Sequence, residues 1–485
     1  MKRYIGKILA MTFVAAFLVI GCTDSFEEVN TDPDRAKDAP ATNVLAFVLR
    51  YHSSTFYDVW NNMSEPSTYG GHLTKIQYID EARYQFRPGT VENKWYYGYI
   101  TLQNVAEIKK KAEADGASNL LGVAKVLEAF IFQAMTDTWR DIPYTEANKM
   151  ADGILLPKYD KQEDIYPALL NTLKEANDLF NQHDNDALGD GDLLFGGDVE
   201  KWQKFANSLR LRLAMRISGV NAALAKSTVE TIMGNKTANP IMESNDDNAF
   251  FWWPGVSPYE EPWMVDAKTR DDHAVSDLLV NHMKALSDPR LPVYAVPAKE
   301  DGEYRGFTIG ANAQPALPTV SRIGLAYRKD PAGFSPYMRY AEVEFAIAEA
   351  ALKGYSVGTT AEAAYNKAVT ASLLENGLDQ ADADAYLAAG AKFNNTSDQV
   401  YEQLWLALFK QGMEAWSLYR RTGVPKDHYV APGSPYTGHN VPPFRYPYPQ
   451  NEMTYNKANA ETFVNEVDDD FWGKKMWWDT RTGVQ

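Results

Sequence analysis

The sequence predicts an all-α protein, mainly helical, with a large irregular half. In seven long segments, apolar residues recur at the three- and four-residue steps of a helix; these segments are about 93–114, 118–138, 162–182, 199–219, 338–353, 360–376 and 397–421. Two stretches, about 240–336 and 422–485, are instead rich in proline, glycine and aromatic residues, with helical spacing only at about 272–286. Long irregular segments on a helical scaffold are often functional, so we expect these stretches to face a ligand.

The N-terminus has the pattern of a secretory signal peptide. A basic head at residues 2–7 precedes an apolar run at residues 8–20, which is shorter than the roughly 20 residues of a membrane-spanning helix. Gly21 and Cys22 follow, and the stretch VIGC resembles a bacterial lipobox. We therefore expect residues 1–21 to be removed and Cys22, the only cysteine of the chain, to carry lipid. An ordinary signal peptide that ends near a cysteine is the alternative.

The next residues are predicted to form a tether. Residues 22–42 begin at the lipidated cysteine and continue as a polar stretch with two prolines and no apolar period. Asp24, Glu27 and Glu28 place acid next to the lipid, which resembles a surface-export signal of Bacteroidetes. A merely solvated linker explains the same residues equally well.

The charge of the mature chain excludes several classes of partner. Without residues 1–21 the chain carries 45 basic and 64 acidic residues, a net charge of −19. Nucleic-acid binding requires clustered Lys and Arg, and anionic lipid repels such a surface. No segment after the signal peptide reads as long and apolar enough to cross a membrane.

Local signals mark the ends of several helices. Asp198 stands at the N-cap position of the helix at 199–219. Thr359 and Glu362 have the spacing of a capping box for the helix at 360–376, and Gly377 follows its end. The preceding helix ends at Gly354, and the short loop between the two predicts antiparallel packing. Small and aromatic residues in the second helix are typical of a tetratricopeptide (TPR) helix pair; they are Ala361, Ala364, Tyr365 and Ala368.

An aromatic stretch at residues 250–266 is the main candidate for a ligand platform. It contains Trp252, Trp253, Tyr259 and Trp263 between prolines whose spacing predicts that no helix forms here. Flat aromatic faces with nearby polar groups bind sugar rings. The alternative is that these rings fill the core, and we expect some to be buried and one or two to be exposed.

A second aromatic stretch, at residues 57–84, is the next candidate. Trp60 and Tyr78 are its predicted ligand-binding residues, and Tyr69 and Tyr84 lie near them in the chain. Packing of these rings beneath the first helix is the favoured alternative.

Motifs of catalysis, cofactor binding and metal binding are absent from the sequence. It contains no P-loop, nucleophile elbow, HExxH or dinucleotide fingerprint. Residues 183–192 resemble a calcium loop, but Leu188 occupies a ligand position and no glutamate closes the loop, which favours a solvated turn. Acidic pairs at 260–261 and 271–272 could serve a glycosidase, but adjacency means little among 64 acids. We expect no cofactor, no metal and no catalytic residues.

Seven stretches, in order along nearly the whole mature chain, carry a family resemblance. They are FEEVNTDPDRA, TDTWRDIPYTEA, KWQKFANSLRLRLAMRIS, DPRLPVYA, YAEVEFAIAEAALKG, WLALFKQGMEAWSLYRRTGVP and PFRYPYPQNEMTYNKAN. With the lipobox, they resemble the SusD/RagB-like nutrient-binding lipoproteins of Bacteroidetes outer membranes, in the starch-binding-associated, SusD-like subgroup.

This resemblance implies one domain at residues 43–485, built from TPR-like helix pairs with irregular insertions. It implies a cell-surface lipoprotein that binds a nutrient, without catalysis, and delivers it to a SusC-like TonB-dependent transporter. Ligand residues of the family lie on variable loops, so the candidate residues rest on the aromatic pattern alone. An oligosaccharide is the expected ligand and a peptide the alternative. A secreted glycan-cleaving enzyme on an α-helical toroid is a further alternative, which would need two carboxylates about 5–9.5 Å apart in one cleft.

Overall fold

The structure, a computed structural model that describes residues 39–467 and 469–485, is built mainly from helices. Its α-helices are α1 (Ala41–Phe56), α2 (Pro66–Tyr69), α3 (Pro88–Asp115), α4 (Ser118–Trp139), α5 (Gln162–Phe180), α6 (Val199–Arg216), α7 (Ala222–Gly234), α8 (Pro262–Ala267), α9 (Asp277–Ala285), α10 (Leu291–Tyr294), α11 (Leu325–Arg328), α12 (Tyr340–Leu352), α13 (Ala361–Glu375), α14 (Gln380–Ala388), α15 (Ser397–Ala407), α16 (Gly412–Thr422), α17 (Gln450–Tyr455) and α18 (Lys457–Asn465). All seven predicted segments are helical, and the predicted fold class is confirmed.

Three details differ from the prediction. Helix α8 lies in the stretch where the prolines predict no helix, because Pro262 occupies the first helical position, where proline is tolerated. Helix α1 begins at Ala41, so the predicted tether overlaps its first two residues. The segment 397–421 is two helices, because Lys410 between them adopts the left-handed conformation (φ 73°) that ends helical geometry. The signal peptide, Cys22 and most of the tether lie outside the described residues.

The predicted helix ends are confirmed, except that the N-cap of α13 lies one residue later than predicted. The Asp198 carboxylate accepts a hydrogen bond from Lys201 N (3.1 Å) and caps α6. Gly354 and Gly377 follow α12 and α13 in the left-handed conformation. The capping box at Thr359 is wrong by one residue: Thr360 is the N-cap of α13 and accepts from Ala363 N (3.1 Å). With Thr360 at the cap, the third helical position is an alanine, which has no carboxylate to complete a box.

Helices that follow each other in sequence pack together, as the TPR-like texture predicts. The pairs α1–α3, α3–α4, α4–α5, α5–α6 and α12–α13 are all in close contact. In the part of the chain that the structure describes, only α4 has the length and composition of a membrane span, contrary to the sequence reading. Because 78% of its most apolar window is buried in the protein, α4 is a core helix.

Short antiparallel strand pairs connect the irregular stretches to the helical body. The pairs are β1 (Leu73–Lys75) with β5 (His273–Val275), β2 (Ile142–Pro143) with β3 (Tyr159–Asp160), β4 (Ala249–Trp252) with β8 (Phe334–Met338), and β6 (Ala295–Val296) with β7 (Arg322–Ile323). In the first pair Lys75 stands opposite His273. This pairing brings the stretch at 57–84 next to the irregular insertion at 240–336.

Candidate ligand-binding site

The predicted platform at residues 250–266 is divided between core and surface. Side chains alternate along a strand, so Trp253, just after β4, points inward, and its Nε1 donates to Ser335 Oγ (3.0 Å). Trp263 in α8 is fully buried, with the Lys410 ammonium 5.3 Å from its ring centre. Neither ring has a face open to a ligand, and the prediction of Trp253 and Trp263 as ligand-binding residues is therefore corrected: both belong to the core.

Trp252 and Tyr259, the other two predicted residues of this stretch, are exposed. The Trp252 ring lies against Phe334, with ring centres 5.1 Å apart. Tyr259 lies under the guanidinium of Arg50 on α1, at 5.5 Å from the ring centre. Within the described residues, no ring or cation contact joins Trp252 to Tyr259. They are two separate exposed rings and form no single platform.

Trp60 and Tyr78 form a second exposed aromatic face, which we call the Trp60–Tyr78 face. The two side chains are 40% and 59% exposed. One ammonium group joins them, because Lys75 Nζ lies 5.7 Å from the Trp60 ring centre and 6.0 Å from that of Tyr78. Tyr78 also has a left-handed backbone (φ 50°), an uncommon conformation for a bulky residue that turns its ring outward. The alternative of packing in the core holds for Tyr57, Tyr69 and Tyr84 of this stretch, which are buried.

The cations of this face are held by a buried carboxylate. Glu81 forms ion pairs with Lys75 (3.2 Å) and with Arg87 (2.7 Å). The Arg87 guanidinium lies 5.8 Å from the Trp60 ring centre, and that of Arg270 lies 5.4 Å from the Tyr78 ring centre. Each ring thus has two cations within 6.0 Å of its centre, and each leaves part of its surface open to solvent.

The backbone that carries Trp60 is a π-helical turn, Val59–Ser64, a conformation often found at functional sites. Asp58 caps it by accepting from Trp60 N (2.9 Å) and Asn61 N (2.6 Å). The buried Lys94 ammonium donates to Asn61 O (3.0 Å). The Asn62 side chain donates to Lys410 O (2.9 Å) and accepts from Gly412 N (3.0 Å), between α15 and α16. The turn is therefore fixed before any ligand arrives.

A cleft of about 520 Å³ opens beside Trp60, and we call it the Trp60 cleft. Its walls include Asp58, Trp60, Asn61, Arg87, Asn93 and Tyr97. Two buried polar atoms in these walls, Asn61 Oδ1 and Arg87 Nε, have no hydrogen-bond partner among the described residues. The cleft therefore combines an exposed indole with the polar side chains of Asn61, Arg87 and Asn93, a lining that suits a hydroxyl-bearing ligand.

Charged groups beneath the Trp60 turn have pKa values near neutrality. Burial raises the pKa of Asp58 to about 6 and that of Glu65 to about 7. Burial lowers the pKa of Lys94 to about 8, against the opposing attraction of these two carboxylates. The charge beneath the turn therefore changes over the range from pH about 6 to pH about 8.

Of the cleft residues named above, sequence reasoning predicted only Trp60. Asp58 and Asn61 lie within the aromatic stretch, and their position beside Trp60 was a usable signal. Arg87, Asn93 and Tyr97 had none, because only the fold brings them to the cleft.

The acidic groups considered for catalysis or calcium binding form ion pairs or cap a helix. Glu261 is fully buried against Lys410 (3.0 Å), and Asp271 pairs with Arg322 (3.3 Å). In the loop at 183–192, Asp186 caps α4 by accepting from Asn119 N and Leu120 N, both at 3.0 Å. No group of His, Cys, Asp and Glu in the described ranges is arranged to hold a metal ion.

Comparison with known proteins identifies the family. The family model of SusD-like proteins described as "Starch-binding associating with outer membrane" matches residues 37–449. No curated protein matches the chain.

Solved structures share the fold over nearly the whole chain. A chitin-binding protein is 29% identical, with a TM-score of 0.81 over 91% of this chain and all of that one. A chitin-binding SusD homologue from Flavobacterium johnsoniae is 25% identical, with a TM-score of 0.79 over 90% of this chain and 99% of that one. A SusD homologue from Bacteroides uniformis is 24% identical, with a TM-score of 0.79 over 92% of this chain and all of that one, a likeness that establishes the fold alone. With a family match that spans most of its length, this chain belongs to the SusD-like family of starch-binding proteins that associate with the outer membrane.

Proposed function

We propose that the protein is a cell-surface lipoprotein that binds an oligosaccharide and delivers it to a SusC-like TonB-dependent transporter. The observation that carries the binding function is the Trp60 cleft, where an exposed indole stands in one depression with the side chains of Arg87 and Asn93. A sugar ring presents an apolar C–H face to an indole and hydroxyls around its edge. These hydroxyls both donate and accept, so they suit the guanidinium of Arg87 and the exposed amide of Asn93.

Binding without catalysis fits the same groups. A glycan-cleaving enzyme needs two free carboxylates across the sugar site. Asp58, the carboxylate in the walls of the cleft, is engaged in capping the Trp60 turn. We therefore propose no enzymatic activity. The turnover of a glycan panel by the purified protein would contradict this.

Trp252 and Tyr259 remain proposed ligand contacts of second rank. Both are exposed, and Tyr259 is tied to the α1 side chain of Arg50, whereas Trp252 rests on Phe334. Neither ring lines the Trp60 cleft. A loss of affinity in Trp252→Ala or Tyr259→Ala would bring these rings into the site.

The test of ligand binding uses chitin and starch oligosaccharides, because two similar structures are chitin-binding proteins and the family is described as starch-binding. Calorimetry should show binding that weakens at least tenfold in Trp60→Ala and in Tyr78→Ala. Tyr429→Ala is the matched control, since Tyr429 is an exposed tyrosine that does not line the Trp60 cleft. Unchanged affinity in both variants would refute the site. Binding of a peptide panel and of no glycan would favour the peptide alternative.

Anchoring and partnership are tested in cells. If Cys22 carries the lipid, Cys22→Ala should move the protein from the outer-membrane fraction to the soluble fraction. Continued membrane association of the variant would contradict lipidation. Gentle detergent extraction of the native protein should recover a β-barrel transporter in near-equal amount, and repeated recovery of the chain alone would contradict the partnership.

A further inference from the structure

A second groove, of about 480 Å³, lies between α3 and α17. Its walls include Tyr96 and Tyr99 from α3, Glu452 and Tyr455 from α17, and Asn148 from the loop after β2. We call it the Tyr96–Tyr455 groove. It lies outside the Trp60 cleft, and the sequence analysis singled out none of these residues.

Two rings on opposite walls of this groove are open to solvent. Tyr96 is 61% exposed and Tyr455 is 73% exposed. No hydrogen bond to any described residue engages either hydroxyl group. Two hydrogen bonds fix the side chains around them. The Tyr99 hydroxyl donates to Pro143 O (2.7 Å), and the Tyr159 hydroxyl donates to Glu452 Oε2 (2.8 Å). The groove is therefore a firm surface with two free aromatic faces.

The groove and the Trp60 cleft lie on neighbouring faces of one helix, α3. Tyr97 of α3 lines the cleft and Tyr96 lines the groove, and their ring centres are 6.5 Å apart. Gly89, Asn93 and Tyr96 recur at steps of four and three along α3 and are all exposed, so they form one ridge between the two depressions. Gly89 has no side chain to obstruct a ligand that crosses the ridge.

The charges of the groove select the kind of occupant. Its polar lining consists of the carboxylates of Glu92 and Glu452 and the amides of Asn148 and Asn451, with no Lys or Arg in its walls. Carboxylates and amides accept hydrogen bonds from hydroxyls, and the two carboxylates repel an anionic ligand. A neutral sugar unit meets both conditions, with stacking on the tyrosine rings and donation to the acceptors.

We propose that the Tyr96–Tyr455 groove is a second saccharide subsite that binds the continuation of the same neutral glycan held at Trp60. This inference rests on the proposed function. It predicts that long oligosaccharides, which reach from the cleft across the α3 ridge, bind more tightly than short ones.

The test compares a chito-oligosaccharide disaccharide with a hexasaccharide by calorimetry, and the matching malto-oligosaccharides in parallel. The wild type should bind the hexasaccharide at least tenfold more tightly than the disaccharide. The double variant Tyr96→Ala/Tyr455→Ala should lose that preference and keep the disaccharide affinity and the melting temperature. The double variant Tyr96→Phe/Tyr455→Phe, which keeps the rings, should retain most of the preference. Trp60→Ala should weaken the binding of both lengths.

The outcomes separate the two proposals. A Tyr96→Ala/Tyr455→Ala variant with the wild-type preference for the hexasaccharide, while Trp60→Ala loses binding, overturns the second subsite alone. The exposed residues Met150, Leu155 and Leu156 come from the loop that supplies Asn148, so a protein partner is the competing occupant. Wild-type glycan binding with loss of the co-purified transporter in the double variant would assign the groove to that partner and overturn the subsite. A wild type that binds none of these sugars overturns both proposals.

Discussion

Replacing Trp60 and Trp263 by alanine, one at a time, tests the division between site and core most directly. Both are tryptophans of the two predicted aromatic stretches, but Trp60 is 40% exposed and Trp263 is fully buried. The same substitution should therefore have opposite effects. Trp60→Ala should remove ligand binding and keep the fold, and Trp263→Ala should weaken the fold and keep the binding surface.

The expected magnitudes follow from the contacts. Trp60 loses two cation–π contacts, with Lys75 and Arg87, each about 0.5–1 kcal/mol at an exposed site. Its loss should lower the free energy of unfolding by about 1–2 kcal/mol. Trp263 leaves a cavity in the core, and such truncations typically destabilise by about 3–5 kcal/mol. At about 2.1 cal/mol/K per residue, the unfolding entropy of this chain makes 1 kcal/mol equal to about 1 °C in melting temperature.

The assay measures the melting temperature and the affinity for a chito-oligosaccharide on the same preparations. Trp60→Ala should melt about 1–2 °C lower and lose at least tenfold in affinity, which is about 1.4 kcal/mol. Trp263→Ala should melt about 3–5 °C lower and bind as the wild type does. The reasoning is refuted if Trp60→Ala binds normally, or if Trp263→Ala melts with the wild type.

Three further predictions concern the site and the core. Arg87→Lys should lower glycan affinity about tenfold in calorimetry, because an ammonium cannot reproduce the planar guanidinium donors; normal affinity would remove Arg87 from the site. Asp288→Ala should lower the free energy of unfolding, measured with denaturant, by about 3–5 kcal/mol, since it leaves Arg290 buried without its carboxylate (2.6 Å). The exposed pair Lys174–Asp178 (2.6 Å) is the control, and Lys174→Ala should cost less than about 1 kcal/mol; equal effects would contradict the argument from burial. Burial lowers the pKa of His428 to about 4, so between pH about 6.5 and 4 the unfolded chain binds a proton that the folded chain does not. His428 should contribute up to about 3 kcal/mol to the fall in the free energy of unfolding as the pH drops through this window. The buried His52, His72 and His273, whose pKa values burial also lowers, add to the same fall. His428→Gln should remove its own share, and an equally steep fall in the variant would contradict the prediction.

Local signals in the sequence were enough for most of the helices. Asp198, Gly354 and Gly377 mark true helix ends, because capping depends on residues a few positions apart. The error at Thr359 came from two adjacent threonines that are equal as caps in sequence. The break at Lys410 was not predicted. Lys410 has a left-handed backbone and forms a buried ion pair with Glu261, which is distant in sequence.

The site was predictable only in part. Aromatic density drew attention to both stretches, but exposure depends on tertiary packing. Trp252 and Trp253 are neighbours in sequence, and the alternation of side chains along β4 sends one outward and one inward. Trp60 and Tyr78 are 18 positions apart in sequence, and in the fold the Lys75 ammonium lies near both rings.

The clamp on the Trp60 turn has an evolutionary consequence. Asn62 bonds to the chain between α15 and α16, and Lys94 holds the Asn61 carbonyl, so the backbone at position 60 is set by groups other than the tryptophan ring. The side chain at position 60 can therefore change without remaking the turn that presents it. A lineage of such proteins could acquire a new nutrient by exchanging one or two rings while the scaffold stays the same.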